Sequence, residues 1–202
     1  RRASVQRRAR QEALADGLIV LDEQLHLAQP DGRAFREDPV RLIKVFWHSH
    51  PLGFELSVEV ERAIEDSLDL IDDAFRASPE ARELFLGICR SWGRTAQTLR
   101  EMHELGVLGR YLPEWGALTC LVQYDVYHKF TADQHSLIAV QNLEALAPGQ
   151  SPDSEGNAQV VSELERPGLL MLGMLLHDIG KGKGHGHVAK GIPLIEALAA
   201  RI

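Results

Sequence analysis

The chain has 202 residues, 45% of them hydrophobic and 25% charged, enough apolar matter for a real core at the charge content of an ordinary soluble protein. A net charge of -7 argues against a binder of the nucleic-acid backbone, which is itself anionic. Two cysteines, Cys89 and Cys120, each among apolar residues, give no disulfide framework and fit a reducing cytoplasm.

Residues 1–15 read as a helix without a start signal, as if continuing from an upstream segment. Its basic cluster of Arg1, Arg2, Arg7, Arg8 and Arg10 reads as a solvated helix face, with a phosphate or partner patch as the other reading. Residues 17–27 hold two short apolar runs around Asp22-Glu23, the pattern of a small β-hairpin with unfavourable turn chemistry. Pro30-Asp31-Gly32 is a turn.

From there the apolar period is helical. Asp38-Pro39 is an N-cap with proline at the first helical position, followed by Val40, Ile43, Phe46 and Trp47, and Pro51-Leu52-Gly53 ends the helix. Ser57 caps a second helix with Val60, Ile64, Leu68 and Ile71 on one face. Ser78-Pro79 starts a third, carrying Leu84, Phe85 and Ile88, and Gly93 breaks it. Residues 95–105 are a fourth, with Leu99, Met102 and Leu105 inward and Gly106 as the stop. His48, His50 and His103 lie in or at the ends of these helices. They read as solvent-facing imidazoles without chemistry, although His-x-His can bind a metal. Residues 107–113 are a compact apolar turn.

Five of the nine histidines, His128, His135, His177, His185 and His187, lie beyond Cys120. Gln123-Tyr124-Asp125-Val126-Tyr127-His128-Lys129 is an aromatic-rich loop polar enough to line a pocket. Thr131 with Gln134 three residues on is a capping box, so His135 sits in the first turn of a helix whose apolar face is Leu137, Ile138, Val140, Leu143 and Leu146. A helix start of this kind also favours anions such as phosphate. Residues 148–157 are a surface loop. Pro167-Gly168 opens the most apolar stretch, residues 169–176, which is far short of a membrane span and reads as a buried helix. It runs directly into His177-Asp178 and then a Gly/Lys loop, Gly180-Lys181-Gly182. His187 leads into a last helix with Ile192, Ile195 and Leu198. No signal peptide is visible.

An unpaired His and Asp at the end of a buried run would be costly. A divalent cation removes the conflict. His135, His177, Asp178 and His187 together are three imidazoles and a carboxylate, suited to Mn, Fe, Zn, Co or Ni. Such a site activates water and polarises a phosphoryl oxygen, and Lys181 would contact the phosphate as a point charge. A structural reading stands beside this one, in which the histidine is satisfied by a hydrogen bond and the Gly-Lys run is a flexible loop.

Leu176-His177-Asp178-Ile179-Gly180-Lys181-Gly182 resembles the signature of the HD superfamily of metal-dependent phosphohydrolases, with His135 matching the first histidine of that pattern and His177-Asp178 the central pair. Gly106-Val107-Leu108-Gly109-Arg110-Tyr111-Leu112-Pro113-Glu114, the tract from Gln123 to His135, and His187 are similar to the bifunctional uridylyltransferase/uridylyl-removing family that modifies the PII signalling protein. The similarity covers most of residues 30–202. It implies an all-α, HD-domain-like helical bundle and a divalent metal (Mn, Mg, Fe, Co, Ni or Zn) on His135, His177, Asp178 and His187. The implied reaction is hydrolysis of UMP from a tyrosine of a uridylylated PII-like protein, with a free nucleotide as the other substrate class. Lys181, His128 and Asp125 are the remaining candidates for substrate-side roles. The nucleotidyltransferase motif, a Gly-Ser followed by paired acidic residues, is not in this sequence, and the final HD aspartate is expected after Ile202. A partner-binding helical module with an incomplete, inactive site is the alternative. The expected organisation is an N-terminal segment at 1–30 linking to an upstream domain, a helical subdomain at 31–116, and the metal-site core at 117–202. The expected location is cytoplasmic, with no nucleic acid and no membrane as partners and the oligomeric state open.

Overall fold

A computed structural model of the chain describes residues 12–29, 33–122, 130–147, 155–184 and 186–202. The expected hairpin is present. Strand β1 (Glu12–Ala13) pairs antiparallel with β2 (Leu18–Leu21), which pairs antiparallel with β3 (Gln24–Leu27), Leu18 opposite Leu27 and Leu21 opposite Gln24. Asp22 and Glu23 take φ values of 50° and 65°, the two positive values a two-residue type I′ turn requires. Leu18, Val20, Leu25 and Leu27 are buried on one face, and that burial outweighs the cost of two non-glycine residues in the left-handed region. Glu12 and Ala13 are therefore strand, not the end of a helix over 1–15, because they complete the edge of this sheet. The arginine cluster lies outside the described residues, as does Pro30-Asp31-Gly32. Strand β4 (Glu55–Leu56) adds parallel to β3.

The rest is helical: α1 (Arg33–Glu37), α2 (Arg41–Leu52), α3 (Val58–Glu65), α4 (Asp73–Arg76), α5 (Pro79–Arg90), α6 (Thr95–Glu104), α7 (Val107–Tyr111), α8 (Pro113–Gly116), α9 (Ala132–Glu144), α10 (Glu155–Ser162), α11 (Pro167–Leu176) and α12 (His187–Ala199). The all-α expectation with a small N-terminal hairpin holds. Helix starts follow local capping chemistry. Ser57 accepts from Val60 at 3.4 Å and Ser78 from Ala81 at 3.3 Å, with Pro79 at the first position of α5. Asp38 accepts from the Val40 amide at 3.2 Å, but α2 begins only at Arg41, with Val40 and not Asp38 as its N-cap. Gly53, at φ 71°, ends α2 in the left-handed conformation.

Three expectations change. The helix from Ser57 stops at Glu65 and gives way to a 3₁₀ turn (Leu68–Leu70), which still delivers Ile71 to the core at 3% exposure. The turn over 107–113 is two short helices, α7 and α8, divided where Pro113 starts a new first turn. Residues 155–157 open α10, and the remainder of the 148–157 loop is outside the described residues.

The three early histidines do not face solvent. His50 is buried between Thr98 Oγ1 at 2.8 Å and the Ser91 carbonyl at 2.7 Å. His48 Nε2 meets Asp16 Oδ2 at 3.0 Å. His103 Nε2 meets Asp133 Oδ2 at 3.2 Å. Each partner is far away in the sequence, so no local pattern reveals it.

Trp115, Tyr111, Phe35, Phe46 and Phe85 are the bulkiest fully buried side chains of a core that runs from Leu18 to Leu198. Helix α9 packs on both α6 and α11, and α11 also packs on α5. The α6–α9 contact is pinned by carboxylates from α9. Near the start of α6, where helix amides have no internal partner, Glu144 accepts from Gly93 at 2.8 Å, Thr95 at 2.7 Å and Ala96 at 3.1 Å. At the other end Asp133 pairs with His103. Between them Arg100 donates to Gln134 at 3.4 Å and Gln141 at 3.2 Å.

Glu144→Ala orphans three amides and is expected to cost about 3 kcal/mol, a fall of roughly 10 °C in Tm by circular dichroism, with Glu144→Gln losing less. Burial pushes the Asp16 carboxyl up, but hydrogen bonds from His48 and Lys44 outweigh it and hold the carboxyl below its ordinary value. A depressed carboxyl stabilises the fold above its unfolded pKa, and that contribution is lost as pH falls through the folded one. Asp16→Asn, which tolerates the local φ of 63°, should therefore lower stability at neutral pH and flatten its acid dependence below about pH 4, read from urea midpoints across pH.

Candidate metal centre

Helix α11 starts with Pro167 at its first position and packs on α5 and α9. Met171, Leu175 and Leu176 are buried, but Leu169 is 54% and Leu170 38% exposed. The apolar run is therefore buried on one face only, a correction to the expectation of full burial: α9 and α5 cover one side of a cylinder and leave the other to solvent. The helix ends at Leu176, and His177 follows at φ -55°. His177 Nδ1 lies 2.8 Å from the Met174 carbonyl. A carbonyl only accepts, so Nδ1 carries the proton and Nε2 is turned toward Asp178. This bond satisfies one of the orphan carbonyls of the helix end and fixes the ring as metal-binding imidazoles are usually fixed.

A 3₁₀ turn (Ile179–Lys183) follows. With three residues per turn, positions i and i+3 eclipse, which sets Lys181 over Asp178, Nζ to Oδ2 2.7 Å, both side chains buried. Gly180 is required here, because an added Cβ would strike the His187 carbonyl and come within 2.7 Å of the Gly191 nitrogen. The first turn of α12 thus lies backbone to backbone on this turn.

His135, in the first turn of α9, completes the cluster. Its Nε2 is 3.5 Å from Asp178 Oδ2, and His177 Nε2 is 3.1 Å from the same oxygen. The two imidazole rings are 5.3 Å apart. Donor atoms of His135, His177 and Asp178 all lie within 4.8 Å of one another, close to the span of ligands gathered about 2.1 Å from one ion. The carboxylate is buried at the floor and the imidazoles are partly exposed at the mouth. Burial pushes the Asp178 carboxyl up, but hydrogen bonds from His177 and Lys181 outweigh it and hold it well below the usual carboxylate range. The hydrogen bond to Asp178 raises the His177 pKa, opposed by burial. Two imidazoles and one ionised carboxylate fit a divalent transition metal.

Of the sequence candidates, His135, His177, Asp178 and Lys181 come together. His187 is the half-buried first residue of α12 and is outside this group. Asp125, His128 and His185 lie outside the described residues. The Thr131–Gln134 capping box does not form, since no side-chain cap bonds are made by Thr131. Asp133 organises the turn instead, accepting from the Cys120 amide at 2.9 Å and the Gln134 amide at 2.8 Å while Gln134 turns to Arg100. Asp133, His103 and Trp115 escaped the sequence reading; an acidic residue two before the candidate His135 was the one available signal.

Residues 20–111 match the family model described as the uridylyltransferase GlnD third domain, a segment that ends before the His135–His177–Asp178 cluster. The bifunctional uridylyltransferase/uridylyl-removing enzyme of Azospirillum brasilense is 34% identical over 188 residues, 93% of this chain and 20% of the relative. That of Ruegeria pomeroyi is 30% identical over 197 residues, 96% of this chain and 21% of the relative. These matches support a relationship to the GlnD family, of whose curated relatives the chain spans about a fifth of the length. Two solved structures titled as a tRNA-processing enzyme, one an apo form and one a complex, align with TM-scores of 0.57 and 0.56. They are 18% and 17% identical, and the alignments cover 88% of this chain and 42% and 40% of theirs. At that identity they speak to the fold alone.

Gly180→Ala is expected to cost roughly 2 kcal/mol and to lift α12 from the 3₁₀ turn, seen as faster limited proteolysis in residues 187–202.

Proposed function

We propose that this chain is the HD-type part of a uridylyltransferase/uridylyl-removing protein, located in the cytoplasm, that hydrolyses the phosphodiester linking UMP to a tyrosine of a PII-like protein. The observation that carries the reading is the convergence of His135, His177 and Asp178 within 4.8 Å. The names of the relatives and the absence, among the described residues, of any helix long and apolar enough to cross a membrane agree with it. His135, His177 and Asp178 would hold a divalent ion (Mn, Mg, Fe, Co, Ni or Zn), with the imidazole pair favouring the transition metals. Such an ion, when bound, polarises a phosphoryl oxygen and lowers the pKa of water.

The chain's own residues supply the rest. The Met174 carbonyl holds the His177 ring with Nε2 toward the cluster. Asp178 stays ionised at the floor of the site. Lys181 carries the fixed positive charge nearest the cluster and would meet the phosphate. Asp125 and His128 are substrate-side candidates from the tract before α9. In the reaction water adds to phosphorus, the bond from phosphorus to the tyrosine oxygen breaks, and that oxygen takes the proton.

One observation favours the second reading, a partner-binding module without turnover. The Lys181 ammonium already neutralises Asp178 at 2.7 Å, so the cluster is self-sufficient without an ion. Calorimetric titration with Mn²⁺ and hydrolysis of bis(p-nitrophenyl) phosphate separate the two. The first reading expects saturable binding, a Tm that rises with Mn²⁺ and returns with chelator, and about 100-fold weaker binding in His177→Ala. It also expects Lys181→Met to bind Mn²⁺ while losing at least about tenfold in kcat. Absence of binding by the wild-type chain would sink it.

A further inference from the structure

Trp115, on α8, is fully buried, and its indole N–H donates to the Leu175 carbonyl at 3.1 Å. That carbonyl is among the last four of α11, which have no amide of their own helix to bond them. The His103 ring, from α6, meets the indole edge-on at 5.0 Å between centroids and 87° between planes. The His103 Nε2 reaches Asp133 Oδ2 at 3.2 Å, and Asp133 in turn holds the Cys120 and Gln134 amides. Leu175 is two residues before His177, and Asp133 is two residues before His135. Three side chains from three helices, Trp115 and Asp133 buried and His103 partly buried, therefore run from one half of the candidate ligand cluster to the other.

We propose that Trp115, His103 and Asp133 form a brace that sets the separation of His135 from His177 and Asp178, which makes them positioning residues for that cluster. The purpose of the separation rests on the ligand reading above, whereas the brace itself is a claim about geometry. The reason a brace is needed is physical. Helices α9 and α11 pack on each other, and most of what they bury is apolar, Leu137, Val140, Met171 and Leu175 among it. Apolar burial has no preferred direction and tolerates small slides of one helix on another. The ends of the link are hydrogen bonds, from Trp115 to the Leu175 carbonyl and from two amides to Asp133, which lose strength within a few tenths of an ångström and a few tens of degrees. Its middle, His103, is set by an edge-on ring contact, which has a preferred orientation, and by the 3.2 Å approach to Asp133. A directional link anchored two residues from each half of the cluster removes the slide that would spread the donors. Asp133 keeps its two backbone donors if His103 is replaced, so the link can be cut without orphaning the carboxylate.

Trp115→Phe removes the indole N–H and keeps an aromatic ring against His103, whereas His103→Phe keeps the ring contact and removes the pair with Asp133. Both are made in the full 202-residue chain and read in two ways. One is the proton–proton NOE between the His135 and His177 rings, measured without metal. The other is Mn²⁺ affinity. Each folded variant is expected to lose at least about half of the NOE intensity and about tenfold in Mn²⁺ affinity, the low end for residues that orient ligands. A folded variant with the wild-type NOE overturns the brace, even if its Tm has fallen, because that is what ordinary packing residues would do. A wild-type chain that binds no Mn²⁺ while the variants lose the NOE removes the ligand reading and leaves the brace standing. Should Trp115→Phe fail to fold, His103→Phe decides by the same NOE.

Discussion

Helix α9 is held to α6 at both ends by its own carboxylates, Glu144 over the opening amides of α6 and Asp133 against His103 near its close. Both acids are buried, and a buried carboxylate is tolerated only where donors surround it. Each finds them across the helix pair or in the turn beside it, so the two helices have one acceptable register. That register places the first turn of α9, and with it His135, against the end of α11. If α9 were free to shift, the candidate cluster would have no fixed third member.

The end of α11 answers a different constraint. An apolar helix finishes in a His-Asp pair whose carboxylate is buried, and the charge must be met locally. The 3₁₀ turn meets it with Lys181, and His177 meets an orphan carbonyl with one ring nitrogen while turning the other toward Asp178. Gly180 lets α12 close over this turn at backbone distance. The result is a buried carboxylate–ammonium pair under two partly open imidazoles.

The match to the GlnD third domain covers residues 20–111, which is the end of β2, strands β3 and β4 and the helices through α7. The candidate cluster is built on α9, α11 and the turn after it, and the long alignments to the two relatives extend across that part as well. Scaffold and cluster are joined through α6, α8 and the side chains of His103 and Trp115, so the two segments are mechanically one core.

Much of this is legible in the amino-acid sequence. Helix starts at Ser57, Ser78 and Pro167, the hairpin around Asp22-Glu23, and the candidates His135, His177, Asp178 and Lys181 follow from capping chemistry, periodicity and residue type. Those signals act over a few neighbouring residues, so they are written in the order of the chain. What the sequence did not disclose has one character. His50 on Ser91, His103 on Asp133, Glu144 on α6, Trp115 on Leu175 and the exposed side of α11 all depend on which residues meet across helices. The sequence by itself determined which residues could carry charge, cap a helix or bind an ion. Only the tertiary structure decided their partners, because a buried polar group takes whichever donor the packing of distant segments brings within hydrogen-bond reach.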